Sequence, residues 1–169
     1  MINVVLYEPE IPENTGNIMR TCAATNAHLH LIRPLGFAMS SSVVKRSGVN
    51  YLDKVNYTLY DDFADFLSKN DGDYYFFTRY GKKAHSEFDF SDINRNIYLI
   101  FGKESTGIPK EILREHIDNC IRIPCSDKVR CLNVANSVAI ALYEVERQQN
   151  YPQLIKHEPF KGEDWLLDD

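Results

Sequence analysis

The chain alternates short apolar runs with longer segments in which apolar residues recur at helical spacing. The apolar runs are rich in β-branched and aromatic residues and predict strands near 2–7, 28–33, 54–60, 73–79, 96–101 and 120–124. The segments between and after them predict helices at 15–26, 41–47, 61–69, 109–118 and 132–149. This alternation is typical of a single α/β domain with a mostly parallel sheet.

The last predicted helix, 132–149, has apolar residues on more than one face. Val138 and Leu142 belong to one stripe, whereas Ile140 and Ala141 are apolar on other faces. A surface helix would have one apolar face only. We therefore expect this helix to be buried on two sides, against its own sheet and against either another element or a second subunit.

The charge of the chain is concentrated at its end. The net charge is −5 over 169 residues, and residues 158–169 contain five acidic residues and one lysine. Positions 1–157 therefore carry 18 basic and 19 acidic residues, a net charge of −1. We expect a domain over 1–157 followed by an acidic tail, and a nearly neutral domain does not exclude a nucleic-acid partner.

Several classes of protein are disfavoured by missing signals. The four cysteines form no C-x-x-C pair and have no zinc-like spacing with the histidines, so we expect neither a disulfide framework nor a metal. The apolar start is too short for a signal peptide, and no stretch approaches ~20 apolar residues, so we expect a cytoplasmic protein with no membrane partner. The segment YLIFGKESTGIP lacks the spacing of a P-loop, and no G-x-G-x-x-G follows the first strand.

Three loops follow predicted strands, at the edge where open α/β sheets bind ligands. They are EPEIPENTGNIMR, GKESTGIP and IPCSDKVRCLN. Asn14 in the first loop is either a helix N-cap or part of a site. Arg20 lies about one turn into an early helix among apolar neighbours, so it either pairs with a carboxylate or faces a ligand. Tyr143 is either an aromatic residue at the core edge or a ligand contact.

Taken together, these loops resemble the three motifs of the SPOUT superfamily of RNA methyltransferases. The motifs are N-T-G-N-I-x-R at 14–20, F-G-x-E-S-x-G-I-P at 101–109, and I-R-I-P with L-N-V-A-N-S-V-A-I-A-L-Y-E within 121–144. Within the superfamily, the chain is most similar to the TrmL family of small tRNA 2′-O-methyltransferases, which modify cytidine or uridine at wobble position 34. Lys103, Thr106 and Cys131 stand where that family more often has Pro, Arg and Ser.

The resemblance implies a fold, a cofactor and an oligomeric state. The fold would be an α/β domain with a C-terminal trefoil knot that holds S-adenosyl-L-methionine, which becomes S-adenosyl-L-homocysteine. The chain would form a homodimer through its first and last helices. By position in the motifs, the cofactor pocket would be lined by Phe77, Gly102, Glu104, Ile123, Cys131 and Leu132.

The resemblance also implies a reaction, the transfer of a methyl group to the 2′-hydroxyl of the wobble nucleotide of tRNA. Arg20 matches the catalytic arginine of the family, with Asn14 fixing its loop, and Arg130 and Tyr143 would contact the substrate. The alternatives are methylation at another tRNA or rRNA ribose, or an inactive RNA-binding homologue.

Overall fold

The computed structural model describes residues 1–40 and 54–167. The helix predicted at 41–47 lies outside the described residues. Within the described part, no helix is both long and apolar enough to cross a membrane. Residues 158–167, in the acidic tail, are exposed throughout.

Over residues 1–40 and 54–167, seven strands form one sheet in the order β3-β2-β1-β6-β4-β7-β5, and every pairing between these strands is parallel. The strands are β1 (Ile2–Tyr7), β2 (His28–Ile32), β3 (Tyr57–Tyr60), β4 (Asp73–Phe77), β5 (Lys83–Ala84), β6 (Ile97–Phe101) and β7 (Cys120–Arg122). The predicted α/β class and parallel sheet are confirmed. Strand β5 was not predicted, because two residues at the sheet edge give no apolar run to detect.

In the described part of the chain, four α-helices pack on the sheet: α1 (Pro12–Thr25), α2 (Phe63–Lys69), α3 (Lys110–Glu115) and α4 (Val134–Gln148). Short 3-10 helices lie at His85–Glu87 and Ile117–Asn119. Helix α1 begins earlier than predicted, because Pro12 occupies a first-turn position that its fixed φ favours. The N-cap interpretation of Asn14 is therefore wrong, since the N-cap is Ile11 and Asn14 lies inside the helix.

Helix α4, which was predicted to be buried on two sides, contacts other parts of the same chain on both of them. Helices α1 and α4 pack against each other on one face of the sheet, where α4 also contacts β1 and β6. Ala141, on a second face of α4, is buried in this core together with Val138 and Leu142. Packing against α1, another element of the same chain, therefore explains why α4 is buried on two sides. This burial does not indicate a second subunit.

The opposite face of the sheet contains a buried histidine that makes two hydrogen bonds. His30 on β2 is 4% exposed, with its Nδ1 2.8 Å from the Tyr60 hydroxyl and its Nε2 3.1 Å from the Asn3 side-chain oxygen. Burial, with a smaller effect of nearby His28, lowers the pKa of His30 from 6.5 to about 3. The imidazole is therefore neutral in the folded protein at neutral pH.

We expect His30 to make stability depend on pH. Below pH 6.5 the unfolded chain takes up a proton at this residue that the folded chain does not, so the free energy of unfolding falls by about 1.4 kcal/mol per pH unit towards pH 3. Urea unfolding of wild type and His30→Asn between pH 7 and pH 5 measures the slope. The variant should show the shallower slope. Equal slopes for wild type and His30→Asn would contradict this account.

Candidate functional site

The three predicted loops meet around one cavity of about 410 Å³ at the carboxyl ends of β4, β6 and β7. They meet because parallel strands release their following loops at the same edge of the sheet. Of the residues predicted for the site, eight line this cavity: Asn14, Phe77, Gly102, Glu104, Ile123, Arg130, Cys131 and Leu132.

Two aromatic rings lie side by side at the ends of adjacent strands. Phe77 ends β4 and Phe101 ends β6, and the two residues are register partners. Their ring centroids are 4.7 Å apart with an interplanar angle of 15°, which is a stacked arrangement. Ile121 and Ile123 also line the cavity, so part of its wall is apolar and aromatic.

The second loop turns back tightly on itself. The Gly107 amide donates to the Lys103 carbonyl at 2.8 Å, and Gly107 has a φ of 75°, which favours glycine. At Gly102, a Cβ would lie 2.2 Å from the Gly107 carbonyl carbon and 2.4 Å from the Ile108 nitrogen. A side chain at position 102 would therefore force the backbone of this loop apart.

Glu104 joins the second loop to the first. Its carboxylate accepts hydrogen bonds from the backbone amides of Glu10 and Ile11 at 2.8 and 3.3 Å, and from the Asn14 side-chain amide at 3.0 Å. These three hydrogen bonds hold the first and second loops together. The assignment of Glu104 to the cofactor stays a prediction, and Glu104 lines the cavity.

Glu10 makes the reciprocal connection. Its carboxylate accepts from the Ser105 amide and the Ser105 hydroxyl, both at 2.8 Å. These hydrogen bonds lower the pKa of Glu10. Lys103 adds an ion pair with Glu8, at 2.7 Å from Nζ to Oε2. The two loops are thus connected by carboxylates from both sides.

Asn14 connects the third loop to the other two. Its side-chain oxygen accepts a hydrogen bond from Asn133 at 3.0 Å, while its amide donates to Glu104. Asn133 is the N-cap of α4 and accepts from the Ala135 amide at 2.8 Å. Sequence reasoning missed Asn133, although an asparagine directly before a helical pattern is a recognisable N-cap signal.

Two predicted site residues do not line the cavity. Arg20 is exposed on α1, whose first turn carries Asn14. Tyr143 on α4 is 46% exposed and lies in a separate groove with Asn26, Leu154 and Ile155. The structure therefore brings the predicted cofactor residues together and leaves Tyr143 elsewhere on the surface.

The rim of the cavity is positively charged. Arg79, Arg122 and Arg130 all line it. Over residues 1–40 and 54–167, none of these arginines forms an ion pair with a carboxylate. Arg79 and Arg122 were not predicted as site residues. The rim can accept anionic groups such as phosphates.

These features define an α/β protein with one preorganised cleft, apolar and aromatic at the strand ends and cationic at the rim, built from loops of a parallel sheet. The chain belongs to the SpoU rRNA Methylase family, whose model matches residues 1–143. The match confirms the resemblance to RNA methyltransferases that the three motifs indicated.

Individual relatives are similar over nearly their whole length. A Geobacillus stearothermophilus protein, provisionally named tRNA (cytidine(34)-2′-O)-methyltransferase, is 50% identical over 151 residues, 89% of this chain and 96% of its own. The Escherichia coli K12 tRNA (cytidine(34)-2′-O)-methyltransferase is 41% identical over 154 residues, 90% of this chain and 96% of its own.

Solved structures agree with the fold. A structure described as giving insights into 2-OH methylation of C/U34 on tRNA has a TM-score of 0.83 and 41% identity, covering 89% of this chain and 97% of its own. The AdoMet-bound rRNA methyltransferase from Sinorhizobium meliloti has a TM-score of 0.77 at 24% identity, covering 86% of this chain and 56% of its own. At 24% identity, this similarity supports the fold and not a shared function.

We expect Gly102→Ala to destabilise the protein strongly, because its Cβ would meet backbone atoms that cannot move independently of the loop. Gly107→Ala is the matched control in the same loop. A Cβ there meets nothing within 4 Å, so only the positive φ opposes it, at a cost of about 1 kcal/mol. Thermal and urea unfolding should rank Gly102→Ala as clearly the less stable variant. A smaller loss for Gly102→Ala than for Gly107→Ala would contradict the close approach.

Proposed function

We propose that this protein is an S-adenosylmethionine-dependent methyltransferase that methylates the ribose 2′-hydroxyl of the wobble nucleotide, C or U at position 34, of tRNA. The observation that carries the proposal is that all three methyltransferase motifs contribute residues to one cavity, in a chain whose relatives, matched over nearly their whole length, are named for this reaction.

The cavity fits the proposed cofactor. Its volume of about 410 Å³ lies within the range of small-molecule sites, roughly 300–1,000 Å³. Phe77, Ile123 and Leu132 offer apolar and aromatic surface for an adenine ring, and Gly102 lines the same cavity. Cys131, in the third loop, would also lie beside the cofactor. When bound, S-adenosylmethionine would supply an activated methyl group, and S-adenosyl-L-homocysteine would be the product.

Residues of the chain would activate the ribose hydroxyl that accepts the methyl group. A ribose hydroxyl is almost entirely un-ionised at neutral pH, so the site must orient it and stabilise negative charge as that charge develops. Arg20 is the proposed catalytic residue. A guanidinium stays protonated, so we assign it to the adjacent phosphate and the forming alkoxide and not to general base catalysis. Asn14 would keep the start of α1 in place, and Arg130 would contact the RNA.

The bounds of the domain and its knot are also part of the proposal. The domain spans 1–157, and its C-terminal part forms a trefoil knot around the cofactor cavity. The connections among the loops at 8–14, 102–107 and 133 support close interlacing of these segments. A tRNA substrate would place the reaction in the cytoplasm.

A homodimer formed through the first and last helices is also part of the proposal. The ends of α1 and α4 border the second groove, which exposes Tyr143, 46% accessible, and Ile155, 64% accessible. Exposed apolar residues beside two packed helices are typical of a protein interface. Tyr143 would then lie at the subunit boundary, from which it would contact RNA bound across the dimer.

The test of the reaction is methyl transfer from labelled S-adenosylmethionine to bulk tRNA lacking the modification, followed by mapping of the methylated nucleotide. Label at the ribose of position 34 supports the proposal. Label at another ribose would favour the alternative substrate, and cofactor binding without transfer would favour an inactive homologue.

In this assay we expect Arg20→Ala to lower the rate by on the order of 100- to 1,000-fold, because one charge-stabilising donor is lost. Cofactor affinity, measured by calorimetry, should remain nearly unchanged. Arg20→Lys retains the charge but loses the planar pair of donors, so only partial activity is expected. Near-normal turnover by Arg20→Ala would remove this residue from the mechanism.

We expect Ile155→Asp to convert a dimer into a monomer, because it buries a charge in the proposed interface. Light scattering on the wild-type protein should give twice the chain mass. Ile93→Asp is the matched control, since Ile93 is 56% exposed in the loop before β6 and lies outside the groove. A wild-type monomer, or equal effects of the two substitutions, would be inconsistent with this interface.

A further inference from the structure

An exposed tyrosine at the mouth of the cavity has no role in the chemistry described above. Tyr80 lines the cavity, yet 68% of its surface is accessible. A single exposed aromatic residue is common on a protein surface, but this one lies beside the candidate ligand cavity. Phe77, three residues earlier, occupies the strand end, so Tyr80 lies further out, at the rim.

A cationic side chain supports the Tyr80 ring. The Arg79 guanidinium carbon lies 4.8 Å from the ring centroid, and an Arg79 nitrogen donates to the Tyr80 hydroxyl at 2.6 Å. Arg79 is anchored in turn, because Arg122 donates to its backbone carbonyl. The guanidinium therefore limits the motion of the ring while most of the ring stays accessible.

The turn that carries Tyr80 is fixed to the sheet. The Thr78 amide donates to the Ile121 carbonyl at 2.9 Å, and the Gly81 amide donates to the Thr78 carbonyl at 3.2 Å. Gly81 is buried, and a Cβ there would lie 2.5 Å from the Ile121 carbonyl carbon, so the turn rests directly on β7. Little conformational freedom remains to be lost when the ring binds a partner.

We infer that Tyr80 is a stacking platform for an unpaired RNA base that flanks the reacting nucleotide. An exposed aromatic ring beside arginines is the combination with which proteins bind single-stranded RNA, since the ring stacks on a base and the arginines contact phosphates. Arg79, Arg122 and Arg130 supply the cations at the same rim. The inference rests on the proposed function, because it assumes that a ribose enters this cavity.

The geometry indicates that the base stacked on Tyr80 belongs to a flanking nucleotide and not to the reacting nucleotide. The reacting ribose must reach the cofactor inside the cavity, whereas Tyr80 lies at its mouth. A loop nucleotide adjacent in sequence would lie about one nucleotide spacing away, next to the rim. For position 34 of a tRNA the candidates are nucleotides 33 and 35, which are unpaired in the anticodon loop.

The first test compares three variants of the full chain. Binding to an unmodified tRNA is measured by fluorescence anisotropy, and S-adenosylmethionine affinity is measured separately by calorimetry. Tyr80→Ala should weaken tRNA binding about 5- to 150-fold, the range found for loss of one stacked base. Tyr80→Phe retains the ring and should bind nearly as well as wild type. Tyr57→Ala is the control, since Tyr57 is 42% exposed on β3 at the opposite edge of the sheet.

The second test removes the base instead of the ring. In tRNAs with an abasic nucleotide at 33 or 35, wild type should lose affinity at one of these positions and fall to the level of Tyr80→Ala. The Tyr80→Ala variant should lose nothing further at that position, because the coupling between ring and base is already absent. Independent, additive losses at both positions would overturn the stacking assignment.

Other outcomes of these experiments also decide whether Tyr80 stacks on an RNA base. Unchanged tRNA binding by Tyr80→Ala, or an equal loss in Tyr57→Ala, would overturn the inference. A loss of S-adenosylmethionine affinity matching the loss of tRNA affinity would make Tyr80 a cover for the cofactor. If wild type neither binds nor methylates any tRNA, the proposed function itself fails. If wild type methylates normally and Tyr80→Ala is indistinguishable from it, the stacking role alone fails.

Discussion

The Glu104 carboxylate is the interaction on which the rest of the candidate site depends. It accepts from two backbone amides and one side-chain amide at the start of α1, 90 to 94 positions earlier in the chain. Helix α1 has no side-chain N-cap of its own, since Ile11 occupies that position. A carboxylate near a helix N-terminus is favoured by the orientation of the peptide dipoles, and its hydrogen bonds are charge-assisted. The second loop therefore completes the first helix, and the helix in return fixes the loop.

That connection extends to the third loop through Asn14, which donates to Glu104 and accepts from Asn133. Because Asn133 also caps α4, the starts of the two packed helices are joined through one hydrogen-bonded chain. A cavity bounded in this way needs little rearrangement before a ligand binds, which favours affinity and orientation. The close approach of backbone at Gly102 adds a steric constraint to the same loop.

The distribution of charge matters more to the proposed RNA chemistry than its sum. The net charge is −5, and five acidic residues lie in the exposed segment 158–169. Around the cavity, Glu104 and Glu8 are engaged with protein donors, whereas the rim arginines have no carboxylate partner within the described ranges. Local potential at the rim is therefore positive in a chain that is acidic as a whole, and phosphate binding depends on the local potential.

The sequence alone predicts the α/β class, the parallel sheet and the three loops, because strand and helix periodicities and strand-end positions are local properties. It also gave the motifs that identify the family. The hydrogen bonds of Glu104 could not be predicted in this way, since its donors at Glu10, Ile11 and Asn14 are distant in the chain. The same holds for α4, whose second apolar side packs on α1, and for β5, whose two residues become a strand only beside β7. Contacts between segments far apart in the chain arise from folding, and no local pattern of residues specifies them.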